Sequence, residues 1–400
     1  MAAIFSLSRR ERAGVRGLRE ANAAAESREL SNVSHFVGYE MKAAGQPVRR
    51  VVRPKRRLEP DEVLVRVAGC GVCHTDVGFL YGGVRTRHAP PLILGHEISG
   101  HIEDAGSNAA ERVGQAVVVP AVLPCRSCDL CQGGHPTICR AQVMPGNDCD
   151  GGFATHVVLP GRDLCRVPGA DGDADAPLGS APGLTLRHLA VVADAVSTAY
   201  QAVERSGLAR GDLALVVGLG GVGGYAAQIA AEWGATVVGL DVDPVRIEAA
   251  GSLGVSLALD PGTLPGRELK ARITEYARVT GATQNRWAIF ECSGTAAGET
   301  AAYGLLVPGA TLMVVGFTLE KVEIRLANLM AFEARALGNW GCAPELYPEI
   351  LDKVLTGRID VVSHTQLRPL AEIETALEEV RTRRAGRRLV LTPDAGEEVS

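Results

Sequence analysis

Residues 213–243, LALVVGLGGVGGYAAQIAAEWGATVVGLDVD, leave the chain few folds to choose from. An apolar run leads into Gly218, Gly220 and Gly223, spaced G-x-G-x-x-G, and an alanine-rich stretch follows at once. Such a pattern reads as strand, tight turn and helix. The first glycine makes the turn, the second lets the backbone approach a pyrophosphate, and the third lets the helix pack on the strand. Gly221 and Val222 then belong to the helix N-terminus, whose free N–H groups meet the phosphate. The next apolar run ends at Asp241. A carboxylate there binds a ribose 2′-hydroxyl and repels a 2′-phosphate, so NAD is expected over NADP, with Arg246 in the same site. The competing reading is a glycine-rich turn followed by an incidental aspartate.

The surroundings agree with the doubly wound pattern. From about residue 190, apolar runs such as RWAIFECSG and ATLMVVGF alternate with alanine-rich helical stretches, which implies a parallel sheet. Residues 38–185 differ: short valine-bearing runs (DEVLVRVAG, GQAVVVPAV, GGFATHVVLP) broken by Gly and Pro read as β-rich. After about 340 come two helical stretches, APELYPEILDKVLTG and LAEIETALEEVRTR, and a final strand, RRLVLTP. The segment PGADGDADAPLGSAPG, 168–183, reads as an exposed insertion or linker. With 400 residues, 46% of them hydrophobic, two domains with proper cores are expected, in an α/β class.

A formal net charge of −5 gives no sign of a nucleic-acid or membrane partner, and no apolar run is long enough for a span. The first residues are rich in arginine but lack the apolar core of a secretory signal, and Glu11, Glu20, Glu26 and Glu29 argue against a transit peptide. They read as a mobile extension or an over-extended start, and the expected location is the reducing cytoplasm, where disulfides are disfavoured.

Cys125, Cys128, Cys131 and Cys139 are spaced C-x2-C-x2-C-x7-C. Short gaps let thiolates converge on one point, as a tetrahedral zinc requires. A closed four-thiolate site has no position for substrate, so this metal would hold a lobe together. Unpaired structural cysteines are the alternative. Upstream, GCGVCHTDVGF and LGHEISG supply Cys73 and His96 as metal-binding groups, with Asp76 and Glu97 beside them. Cys70 and Cys73 also form a C-x-x-C pair, though without the context of a redox motif. His101, His135, His156, His188 and His364 have no partner pattern.

In this order, GVCHTD, GHE, the four-cysteine loop, GGFATH and GLGGVGG resemble the zinc-containing medium-chain alcohol dehydrogenases over residues 38–392. The resemblance implies a GroES-like catalytic domain, 38–190 and 341–392, into which a Rossmann NAD-binding domain, 191–340, is inserted. Residues 1–37 then form an extension and 393–400 a tail. Two zinc ions per subunit are implied. Cys73 and His96 match catalytic-zinc ligands, and Glu97 adjoins them. Asp194, in DAVSTAY, stands where a third, cysteine ligand is usual. A carboxylate is an acceptable zinc ligand; a helix N-cap is the other reading of Asp194. Thr75 matches the hydroxyl that relays the substrate proton, and Gly78 stands in place of a relay histidine. His74 and Arg388 fall where basic residues approach the pyrophosphate, with Arg387 as the alternative to Arg388.

The implied reaction is alcohol oxidation by hydride transfer to NAD in a homo-dimer or homo-tetramer. The stretches GFLYGGVRTRHAPPLILGHE, VMPGND and NLMAFEARALGNWGC resemble dehydrogenases of 6-hydroxycyclohex-1-ene-1-carbonyl-CoA, from anaerobic benzoyl-CoA degradation. Arg85, Arg87 and His88 would then meet CoA phosphates, or form an ordinary charged loop. A generic alcohol, polyol or formaldehyde dehydrogenase shares every motif, and a non-enzymatic NAD-binding zinc protein is the remaining alternative.

Overall fold

A computed structural model describes residues 35–264 and 266–393. Its centre is a six-stranded parallel sheet ordered Leu257–Leu259, Thr236–Leu240, Leu213–Val217, Ala288–Glu291, Thr311–Val314, Arg335–Gly338. The strand first in sequence lies inside, so the order reverses beside it and leaves a crevice at its carboxyl end. Strand Leu213–Val217 is buried throughout because both of its faces are covered. Leu213, Leu215 and Val217 pack with Leu269 and Ile273 of helix Gly266–Thr280. Ala214 and Val216 face the other way, onto Tyr225 and Ile229 of helix Gly221–Glu232. Helix Ala195–Ser206 packs against that second helix.

A seven-stranded sheet holds the rest. Its order is Thr365–Pro369, Arg388–Thr392, Glu62–Gly71, Glu97–Ala105, Ala116–Val119, Cys165–Arg166, with His156–Pro160 also pairing to Glu62–Gly71. All its pairings are antiparallel except the first, so the chain returns after the parallel sheet to add its last two strands here. Register is what matters for the site. Gly71 lies opposite Glu97, and Val390 lies opposite Gly71. Cys73, His96 and Arg388 are thereby gathered at one end of this sheet.

A small sheet of Arg49–Pro54, His35–Met41 and Leu92–Ile93 flanks it. Its strand His35–Met41 starts ahead of the boundary expected at 38, because His35 already pairs with Pro54. The expectation for residues 1–34 lies outside the described residues, as does the tail from 394. Residues 168–183 form no helix or strand and are mostly exposed, as expected of a loop, with buried anchors at Ala170 and Leu178. Ala170, Leu178 and Leu184 are buried in the main core, and Ser180 N–H donates to Leu355 O at 2.8 Å, strapping the segment onto helix Tyr347–Leu355. Among the described residues, no helix is long and apolar enough to cross a membrane.

Candidate metal and dinucleotide site

One buried carboxylate organises the metal-binding cluster. Cys73 is the N-cap of helix His74–Leu80, and Asp76 in its first turn reaches back: Oδ2 accepts Cys73 N–H at 2.9 Å. Asp76 Oδ1 accepts Gly95 N–H at 3.1 Å and lies 3.2 Å from His96 Nδ1. Asp76 thus ties together the two loops that carry Cys73 and His96 and leaves His96 Nε2 for the cluster. That nitrogen lies 3.4 Å from Asp194 Oδ2. Burial alone would pull the His96 pKa down, yet the charge of Asp76 and hydrogen bonds to Asp194, Asp76 and Cys73 hold it well above the usual value. Negative surroundings that favour a proton favour a metal cation equally.

Asp194 occupies the N-cap of helix Ala195–Ser206, but its side chain caps no backbone N–H. Oδ1 accepts the Thr198 hydroxyl at 2.6 Å, while Oδ2 lies 3.9 Å from Cys73 Sγ. Burial pushes its pKa up, and is overcome by the hydrogen bond and charge of His96, then Thr198 and Arg388, which bring it down to about 2. One ligand atom each from Cys73, His96, Glu97 and Asp194 lies within 4.8 Å of the others. A thiolate, an imidazole and a carboxylate at this spacing fit zinc. The Glu97 carboxylate is also held by Arg388, through Nε at 3.1 Å and through Nη2. Thr75 Oγ1 lies 3.6 Å from Cys73 Sγ. At Gly78 an added Cβ would meet only Val84, at 3.6 Å, so space remains where the relay histidine is missing. Cys70 is buried behind the cluster, donates weakly to Gly71 O, and forms no disulfide with Cys73.

The glycine-rich turn lies on the far side of Arg388. Gly218 has φ +89°, and an added Cβ would fall 2.7 Å from Ser293 Cα. At Gly223 a Cβ would fall 1.8 Å from Gly218 O, which only glycine avoids. Gly221 and Val222 open helix Gly221–Glu232, with Gly220 as N-cap. A Cβ at Gly221 would meet Arg388 Nη1 at 2.8 Å, so the guanidinium that grips Glu97 lies directly over the glycine-rich turn. Arg387, by strand alternation, points elsewhere and is exposed. Asp241 accepts from the N–H of Leu219, Val242 and Asp243, and Arg246 stands 3.6 Å away. Arg246 also borders Gly220. His74 opens onto the same cleft; burial against its walls, then Arg388, Arg383 and Arg246, lower its pKa to about 4. Arg383 and Thr198 went unremarked in the sequence: neither stands in a motif.

The second cluster is separate. Cys128 Sγ lies 3.5 Å from Cys131 Sγ and 3.6 Å from Cys139 Sγ, and all four sulfurs fall within 4.8 Å. A disulfide would need about 2.0 Å, whereas tetrahedral zinc thiolates at about 2.3 Å put sulfurs roughly 3.8 Å apart. The donor set fits a closed zinc site. In the loop after helix His74–Leu80, Arg85, Arg87 and His88 are all exposed, and Arg87 is also paired with Asp148 at 3.2 Å. His101 and His156 are buried and bonded to Ala170 O and Glu103, remote from both clusters.

Comparison with known proteins sharpens this. Residues 59–169 match the family described as Alcohol dehydrogenase GroES-like domain, and residues 221–356 the family described as Zinc-binding dehydrogenase. The chain is 28% identical over 349 residues to an alcohol dehydrogenase of Geobacillus stearothermophilus, covering 87% of this chain and 96% of that one. It is 30% identical over 292 residues to the zinc-type alcohol dehydrogenase-like protein YphC of Escherichia coli K12, covering 70% of this chain and 77% of that one. The chain belongs to the zinc-dependent medium-chain alcohol dehydrogenases. Like other zinc-dependent alcohol dehydrogenases it is an oxidoreductase enzyme, with a GroES-like part and a Rossmann-like part. A zinc-binding-dehydrogenase-type structure from Sinorhizobium meliloti 1021, bound to NADP, superposes with a TM-score of 0.76 at 25% identity, covering 90% of this chain and all of that one.

Proposed function

We propose that this dehydrogenase oxidises a secondary alcohol with NAD at the Cys73–His96–Asp194 cluster, and that the four-cysteine cluster holds a second, structural zinc. The observation that carries the reading is Arg388, which bonds Glu97 beside the cluster and lies over Gly221 at the phosphate-binding turn. A substrate held at the cluster and a dinucleotide held at the turn therefore share one cleft. When bound, zinc supplies Lewis acidity at the carbinol oxygen and NAD accepts the hydride.

The residues do the remainder. Thr75 takes the alcohol proton and passes it to water or the cofactor ribose, the space at Gly78 leaving no side chain for an outer relay. His74, Arg388 and the helix N-terminus face the pyrophosphate, and Asp241 takes the ribose hydroxyl, which favours NAD over NADP. Asp76 keeps His96 in one orientation.

For the substrate we propose 6-hydroxycyclohex-1-ene-1-carbonyl-CoA, oxidised to the 6-oxo thioester, with the exposed Arg85, Arg87 and His88 meeting the CoA phosphates. A remote anionic handle of this kind supplies binding energy that orients the carbinol. The alternative is a generic alcohol or polyol dehydrogenase. The active form is proposed to be a homo-oligomer: edge strand Arg335–Gly338 is unpaired on its outer side among the described residues.

NADH formation on a panel of the cyclic CoA ester, its free alcohol and simple alcohols tests the substrate. Strong turnover of the thioester alone is expected; equal rates on cyclohexanol leave only the generic dehydrogenase. Metal analysis should give two zincs per subunit, falling to one in Asp194→Ala with activity lost. An Asp194→Ala protein with both zincs and full activity would overturn the cluster assignment.

A further inference from the structure

A threonine inside a helix ordinarily donates its hydroxyl to the carbonyl four residues back. Ser197 does so, its Oγ lying 3.2 Å from Ala193 O. Thr198 does not. Its hydroxyl donates to the carboxylate of the residue four back, Asp194 Oδ1, at 2.6 Å. The two oxygens of Asp194 are thereby given separate tasks. Oδ1 is occupied by Thr198, and Oδ2 faces His96 Nε2 at 3.4 Å and Cys73 Sγ at 3.9 Å.

Thr198 is itself held from outside its helix. Its carbonyl accepts Asn339 Nδ2 at 3.1 Å, and Asn339 Oδ1 accepts Gln201 Nε2 at 3.1 Å. Gln201 then binds both sides of the following loop, Nε2 to Gly341 O at 3.0 Å and Oε1 from Ala343 N–H at 2.8 Å. Asn339 directly follows the last parallel strand, where its N–H donates to Val314 O at 2.9 Å. Thr198, Gln201 and Asn339 are all buried. A buried polar network satisfied in this way is rigid.

We propose that Thr198 is a positioning residue that presents Asp194 to the metal through Oδ2 alone, and that Asn339 fixes Thr198 in that role. This rests on reading the Cys73–His96–Asp194 cluster as a zinc site. The bond from Thr198 tethers the carboxylate against rotation, so that Oδ2 is the oxygen facing His96 and Cys73. Groups behind a metal ligand typically change metal affinity roughly 10–100-fold.

The test compares zinc-loaded wild type, Thr198→Val, which keeps the shape and removes the donor, and Thr198→Ser, which keeps the donor. Zinc loss to dipicolinate and the visible spectrum of the cobalt-exchanged cluster are read. Thr198→Val should release the cluster zinc at roughly 10–100-fold lower chelator concentration and alter the cobalt spectrum, while Thr198→Ser stays near wild type. Retention of the four-cysteine zinc shows that each variant is folded. Asn339→Ala should shift the release in the same direction by less. Unchanged release and an unchanged cobalt spectrum in Thr198→Val would overturn the proposal. Retention of both zincs in Asp194→Ala would instead overturn the reading of the cluster on which it rests.

Discussion

Asp241 accepts three backbone N–H groups and sits 3.6 Å from Arg246, so its carboxylate is fixed at the end of its strand. An added 2′-phosphate would meet that fixed negative charge. Asp241→Ala removes the repulsion and frees Arg246 to face a phosphate. The ratio of kcat/KM for NAD over NADP should then fall by at least about tenfold, about 1.4 kcal/mol; a wild type that uses NADP as well as NAD would refute the assignment. His74 makes a different use of charge. Its pKa of about 4, against 6.5 for a free imidazole, means that the unfolded chain binds this proton and the fold does not. Where the unfolded state binds more protons, stability rises with pH. His74 therefore costs stability as pH falls from about 6.5 through about 4, and below that no further. His74→Gln should flatten part of the fall in apo-protein Tm between pH 7 and 4.5, modestly, since the ring is open to the cleft. An identical fall in both proteins would mean that His74 stays neutral for another reason or titrates normally.

Strand Leu213–Val217 and the turn after it were legible because one element satisfies several constraints at once: burial on two faces, a left-handed Gly218, and the close approach at Gly223. Gly223→Ala should cost about 1–3 kcal/mol, as overpacking does, read as a lower Tm. Helix His74–Leu80 was harder to see. It is short, and its start is set by Asp76 bonding back to Cys73 rather than by an apolar period. The motif residues on it were visible while the element was not. Asp194 could be placed, but its motif does not show that its side chain caps no backbone N–H and bonds the Thr198 hydroxyl instead. The strap at 168–183 was legible as an exposed loop, since Asp, Gly and Pro dominate its composition, whereas its buried anchors Ala170 and Leu178 stand in no pattern. Leu178→Ala should destabilise by about 2–5 kcal/mol, the usual cost of a large-to-small change in a core. A change near zero would mean that Leu178 does not anchor the loop.

Across the whole molecule, a buried ion pair inside the seven-stranded sheet reaches toward the part built on the parallel sheet. Glu97 is wholly buried and Arg388 nearly so, and the guanidinium spans from the antiparallel sheet to the first turn of the dinucleotide helix. Burial drives the Glu97 pKa up, with Arg388 opposing it. Arg388→Ala would leave a carboxylate buried without its partner, a change that costs about 3–5 kcal/mol. Because the orphaned Glu97 then binds a proton more tightly in the fold than in the unfolded chain, the loss should be greatest at high pH and shrink as pH is lowered. The same change removes a cation from the phosphate-binding turn, so NAD should bind more weakly. Structural and binding roles are separable. Adding Glu97→Gln to Arg388→Ala removes the unpaired charge and should recover much of the Tm while leaving NAD affinity low. Recovery of both together would mean that Arg388 acts on the cofactor only by offsetting the charge of Glu97, and wild-type affinity in the single variant would remove it from the cofactor site.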